Sequence, residues 1–153
     1  MLARRTDHAE RLIAAPAERL FACWTDPALL ARWLPPRGMS GQVERFDPRA
    51  GGAFRIVLTY DDPAERGKSG GARDVVEGRF VVVNPPQHLA FVSRFNSADP
   101  AFQGEMRMDW SFEPVANGTR VRIGASNVPP GILTTDHAVG MGSSLAQLAA
   151  LVE

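Results

Sequence analysis

Trp24-Thr25-Asp26-Pro27, followed closely by Trp33-Leu34-Pro35-Pro36, decides the fold, because it sets two short helices between two strands. Thr25 or Asp26 can cap the free amides of a new helix, and Pro27 suits its first turn, where no amide partner is lost. Pro35 ends that helix, since a proline further in forfeits a backbone hydrogen bond and clashes with the preceding turn. Pro16 opens the helix before it, with Glu18 in the first turn, where the helix dipole favours a carboxylate. The chain therefore reads strand, helix, helix, then a long run of strands.

Working outward, Gly41 to Phe46 reads as a short strand, and Gly51-Gly52 turns the chain into Ala53–Tyr60. There Phe54, Ile56, Leu58 and Tyr60 fall on one side at a period of two, against Arg55, Val57 and Thr59. A polar loop, Asp61 to Arg73, follows. Asp74 to Val83 resumes as a strand with Val76, Gly78, Phe80 and Val82 on one side. After the turn at Asn84-Pro85-Pro86, Leu89, Phe91, Ser93 and Phe95 alternate with Ala90, Val92 and Arg94. A second loop, Asn96 to Gln103, leads to Met106, Met108, Trp110 and Phe112, which alternate with polar residues. Asn117-Gly118 is the strongest hairpin signal, and Thr119 to Asn127 is the strand it returns.

Consecutive strands with short turns make an antiparallel meander, apolar on one face only. The segment after Pro129-Pro130-Gly131 supplies the cover. Ala138, Met141, Leu145, Leu148 and Val152 form one helical stripe, and a helix over 135–152 spans roughly 27 Å. Gly140 and Gly142 each cost that helix about 1 kcal/mol against alanine. Either they allow close backbone contact, or they leave room for a ligand beside the helix.

With 153 residues, the chain buries roughly 70% of its unfolded surface as one domain. Hydrophobic content of 44% with 22% charge belongs to a globular protein rather than a disordered one. Zero formal net charge gives no pull toward nucleic acid or anionic lipid, and no apolar run is long enough for membrane insertion. A single cysteine, Cys23, and a charged rather than apolar N-terminal stretch point to the cytoplasm.

The order of elements, together with Arg11-Leu12-Ile13-Ala14-Ala15-Pro16, Leu20-Phe21 and the two tryptophan motifs, resembles the START-like (SRPBCC) superfamily. Gly51-Gly52-Ala53-Phe54-Arg55, Gly78-Arg79-Phe80, Asn84-Pro85-Pro86 and Asp136-His137…Gly140…Leu145…Leu148 extend the likeness over nearly the whole chain. Within the superfamily it is similar to the homologues of the heat-shock-protein-ninety ATPase activator. The resemblance implies an α+β helix-grip fold: a curved antiparallel sheet wrapped around a long C-terminal helix, with two short helices between the first two strands. It implies one START-like domain over residues 1–153, of the bacterial single-domain kind, without the eukaryotic activator's additional N-terminal domain. It further implies an apolar cavity between sheet and helix, used elsewhere in the superfamily for lipids, sterols, polyketide intermediates or plant hormones. It supplies no catalytic set and no cofactor.

The inward candidates for such a cavity are Phe54, Ile56, Leu58, Tyr60, Phe80, Phe91, Phe95, Met108, Trp110, Ile123, His137, Met141 and Leu145. Aromatic rings and thioethers suit an adaptable pocket, and equally a filled core. The polar groups on that side are Tyr60, Ser93, Asn127 and His137. His137, at the edge of the helical stripe, can hydrogen-bond a loop carbonyl, hold a ligand carbonyl, or serve as a base near neutral pH. Asp136 beside it diverges by about 100° and fits a first-turn carboxylate instead.

Other motifs fall away. Gly67-Lys68-Ser69 lacks the strand-then-helix setting and leading glycine of a phosphate loop. His8, His88, His137 and Cys23 have no metal-ligand spacing, and Asp61, Asp62 and Glu65 lack a calcium register. Cys23 fits a buried, inert thiol. The leading expectation is a domain that binds a small apolar or amphipathic ligand, with a homodimer possible. A cyclase- or dehydratase-like enzyme moving protons through His137 or Tyr60 is the alternative. A protein-interaction or co-chaperone-like module using the loops at 61–73 and 96–103 is a third reading.

Overall fold

The computed structural model describes residues 5–62, 64, 71–95 and 97–153. Most of the 61–73 loop, including Gly67-Lys68-Ser69 and Glu65, and Asn96 of the second loop lie outside the described residues. The elements run β1 (Asp7–Ile13), α1 (Ala17–Thr25), α2 (Pro27–Trp33), β2 (Met39–Phe46), β3 (Ala53–Tyr60) and β4 (Arg73–Asn84). They continue through β5 (His88–Phe95), a single 3-10 turn at Pro100–Phe102, β6 (Met106–Val115), β7 (Gly118–Ser126) and α3 (Thr134–Val152).

Asp26 settles the helical pair. It terminates α1, and its Oδ1 accepts the Ala28 amide at 2.9 Å to cap α2. Thr25 instead turns back to the Phe21 carbonyl at 3.4 Å. All strands pair antiparallel in one sheet of order β1-β7-β6-β5-β4-β3-β2. The sheet is curved and α3 crosses its apolar face, which is the helix-grip arrangement. α3 packs against β1, α1 and α2. Gln147 fastens it: Nε2 donates to the Pro35 carbonyl at 2.9 Å and to the Trp33 carbonyl.

Between these layers lies an aromatic cluster. Trp24, Trp33 and Trp110 meet edge to face with centroids 5.1–5.5 Å apart, and Trp24 also meets Phe91 at 5.2 Å. Such geometry sets the positive ring edge against the negative face and adds to the gain from burial.

Two local readings need correction. In β4 the pairing with β5 slips between Phe80 and Val82. This bulge inserts one residue and reverses the alternation, so Val83, not Val82, packs against the core. In α3 the buried stripe consists of Met141, Leu145, Leu148, Ala149 and Val152, and Ala138 is exposed. His137 takes its place on the inward side of the first turns.

Candidate functional site

A hollow of about 260 Å³ lies between the sheet and the N-terminal half of α3. Phe54, Ile56, Leu58, Phe91, Phe95, Met108, Trp110 and Ile123 form its floor, and His137, Gly140, Met141 and Ser144 its roof. The sheet residues alternate along β3, β5, β6 and β7, so the period-two pattern delivers them to one face. The helix contributes positions three and four apart. Trp24, Leu34 and Pro36, from α1 and the end of α2, close one side.

Three of the sequence candidates do not line this hollow. Phe80 is 1% exposed and packs edge-on against Phe46 and obliquely on Phe54, within the closed part of the core. Leu145 is also 1% exposed. It belongs to the half of α3 that sits directly on its neighbours, so the space opens only from Ser144 back toward His137. Tyr60, at the end of β3, lines an outer hollow of about 390 Å³ with Phe102, Ile132, Leu133 and Asp136. Phe95, Met106, His137 and Gly140 border both hollows. Asn127 is exposed and reaches away, its Nδ2 donating to the Glu105 carbonyl.

Gly140 and Gly142 resolve differently from close contact. A methyl group built on either would meet no atom within 4 Å. Gly140 borders both hollows.

His137 is held by a residue that no local pattern marks. Its Nδ1 lies 2.7 Å from Asp7 Oδ2, and the two side chains are 12% and 7% exposed. Arg5 Nε donates to both Asp7 oxygens at 3.0 Å, while its Nη2 donates to the Ile132 carbonyl. Burial opposes ionisation of Asp7, yet hydrogen bonds from His137 and Arg5 prevail and hold its carboxyl below the usual value. In the neutral ring, Nδ1 donates to Asp7 and Nε2 is left as an acceptor, with no partner among the described residues. Asp136 sits in the first turn of α3, as the dipole favours.

The remaining polar lining is sparse. Ser93 and Asp74 border the inner hollow and are 5% and 3% exposed. Ser93 shares the inner hollow with His137 and Tyr60 shares the outer one. Trp24 and Trp110 each bury an indole N–H that finds no acceptor among the described residues. A buried donor left in that state costs about 1–3 kcal/mol. Cys23 is buried, and that burial pushes its thiol above the ordinary value. Among the described residues, no group of three or more His, Cys, Asp or Glu is placed to hold a metal ion. No helix there is long and apolar enough to cross a membrane.

Residues 14–153 match the profile of the family described as activator of Hsp90 ATPase homolog 1-like protein. The chain belongs to that family. A Chromobacterium violaceum protein solved by X-ray crystallography shares 29% identity over 98% of this chain and 99% of its own, with a TM-score of 0.85. The AHSA1 protein of Silicibacter pomeroyi shares 27% identity over 96% of each chain, with a TM-score of 0.78. A comparison with curated proteins finds no match. Membership in the activator-homologue family accounts for the frame of the site, because both tryptophan motifs and all of α3 fall within the matched residues. Arg5 and Asp7 lie outside the matched span.

Proposed function

We propose that the inner hollow is a binding cavity for a small apolar or amphipathic molecule, and that this chain works in the cytoplasm as a carrier or sensor of that ligand. The observation that carries the reading is the largely apolar wall of the hollow, bordered by Gly140 and by a His137 that Asp7 anchors. Removing ligand surface from water contributes roughly 25 cal/mol per Å². Polar groups at the mouth then set orientation. A volume of about 260 Å³ falls just under the roughly 300–1,000 Å³ usual for drug-sized ligands. This favours a short chain or one to two rings, with any tail running into the outer hollow. A panel of fatty acids, sterols and aromatic polyketides, followed by thermal shift and tryptophan fluorescence, tests the proposal. A saturable response to part of the panel is expected, and silence across all of it defeats the reading.

A second reading is acid–base catalysis in the same space, and the Asp7–His137 pair favours it specifically. A carboxylate on Nδ1 fixes the ring and leaves Nε2 to accept a proton from a bound substrate. In a cyclase- or dehydratase-like reaction the wall would fold the substrate and Nε2 would move the proton. Turnover of aromatic polyketide precursors that is lost in His137→Gln, while binding persists, distinguishes catalysis from carriage.

A further inference from the structure

Of the polar side chains that line the inner hollow, Asp74 already has a partner. Ser93 carries a hydroxyl that can give or take a hydrogen bond, so it does not choose between ligands. His137 does choose. Its Nδ1 lies 2.7 Å from Asp7 Oδ2, and the side chain is 12% exposed. Arg5 Nε donates to both Asp7 oxygens at 3.0 Å, so the carboxylate is already balanced and the ring needs no proton to neutralise it. Nδ1 is then the N–H, and Nε2 can only accept. Among the described residues, the buried side-chain nitrogens and oxygens that lack a partner and are sealed from contact are the indole nitrogens of Trp24 and Trp110. Nε2 of His137 also lacks a partner there but is not sealed, so a ligand atom can reach it. The ring lines both hollows, which puts this acceptor at the border they share.

We propose that the inner hollow takes an amphipathic alcohol or phenol, its hydroxyl donating to His137 Nε2 and its hydrocarbon part lying along Phe91 and Met108. An ether or ester offers no proton to this nitrogen, and a carboxylate sets its own lone pairs against it. This proposal rests on the reading of the hollow as a binding cavity and names the chemistry of its ligand.

The test titrates the wild-type protein with octan-1-ol, heptyl methyl ether and octanoate at slightly alkaline pH, where a free imidazole is neutral. The alcohol and the ether are isomers, and only the alcohol donates. Binding is read by tryptophan fluorescence. The imidazole nitrogens are read in long-range nitrogen-15 spectra, with His137 assigned through His137→Phe. The alcohol is expected to bind about tenfold more tightly than the ether, the size of one net hydrogen bond. It is expected to move the His137 Nε2 resonance upfield and to leave those of His8 and His88 in place. His137→Phe is expected to bring the alcohol and the ether to equal affinity. Equal binding of the two isomers to the wild-type protein, with Nε2 unmoved, overturns the hydroxyl assignment and leaves the cavity standing. Tighter binding of octanoate than of the alcohol assigns His137 as a donor, and overturns it as well. Binding of none of the three removes the cavity reading along with this one. The wild-type comparison needs no variant, so a His137→Phe protein that fails to fold does not decide the outcome.

Discussion

Gly140→Ala separates the two explanations for a glycine in the middle of α3. If the residue exists to let the helix touch the sheet, a methyl group there creates a clash and destabilises the protein. The structure says otherwise, because the added carbon meets nothing within 4 Å. What remains is helix propensity, on which alanine exceeds glycine by about 0.8–1.0 kcal/mol. Part of that gain comes from the reduced freedom of the unfolded chain. For a domain of this size, the substitution should raise the melting temperature by about 2–4 °C. Gly142→Ala, equally open, should give a similar gain and serves as a solvent-facing control. Scanning calorimetry with urea unfolding at one pH measures both. A loss of about 1 kcal/mol or more in Gly140→Ala, with a gain in Gly142→Ala, would refute the reasoning, since it would require helix and sheet to touch where the structure shows space.

Other perturbations give distinct outcomes. Gly78→Ala should cost about 1–3 kcal/mol, because its added carbon would lie 2.2 Å from the Val92 carbonyl oxygen and 2.6 Å from Phe54 Cζ; urea titration measures it. Asp26→Ala should cost about 1 kcal/mol through loss of the α2 cap, while Thr25→Ala, measured alongside, should change stability far less. The Asp7 carboxyl is held below its usual value in the folded state, so its contribution is full above the unfolded value, about 3.9, and fades as pH falls through the folded one. Asp7→Asn should therefore lower stability by about 2 kcal/mol near neutrality. It should also flatten the loss seen below about pH 4, as measured by urea midpoints across the acid range.

Much of the frame was legible from residues alone, because it rests on local chemistry. Proline and capping residues mark α1 and α2, and alternation along β3, β5 and β6 carries Phe54, Phe91 and Trp110 to one face. The errors arise where a contact between distant segments overrides a local period. The slip between Phe80 and Val82 is a property of two strands, so spacing within β4 cannot reveal it. His137 displaces Ala138 from the inward stripe because Asp7, 130 positions away in the chain, receives its ring. Sequence adjacency offers only Asp136, which diverges by about 100° and fits the first turn of α3, where the structure places it. Which apolar residues line space and which fill it also escaped the pattern. Leu145 and Met141 occupy the same face of α3, and only the tightening of helix against sheet along its length separates them. That the Trp24 and Trp110 indole N–H groups find no acceptor among the described residues is likewise a property of packing, and the third indole, Trp33, looks the same in sequence.

The claim on which the account depends is that the space beneath the first half of α3 admits a ligand. Gly140→Phe should plug its mouth without disturbing the packed half of the helix. The deciding measurement is titration of both proteins with N-phenyl-naphthylamine, exciting tryptophan and recording dye emission, since Trp24 and Trp110 line the hollow. The account predicts saturable one-to-one binding to the wild-type protein and its loss in a Gly140→Phe variant that melts no lower. Absence of saturable binding to the wild-type protein, or equal binding to the plugged variant, would contradict it.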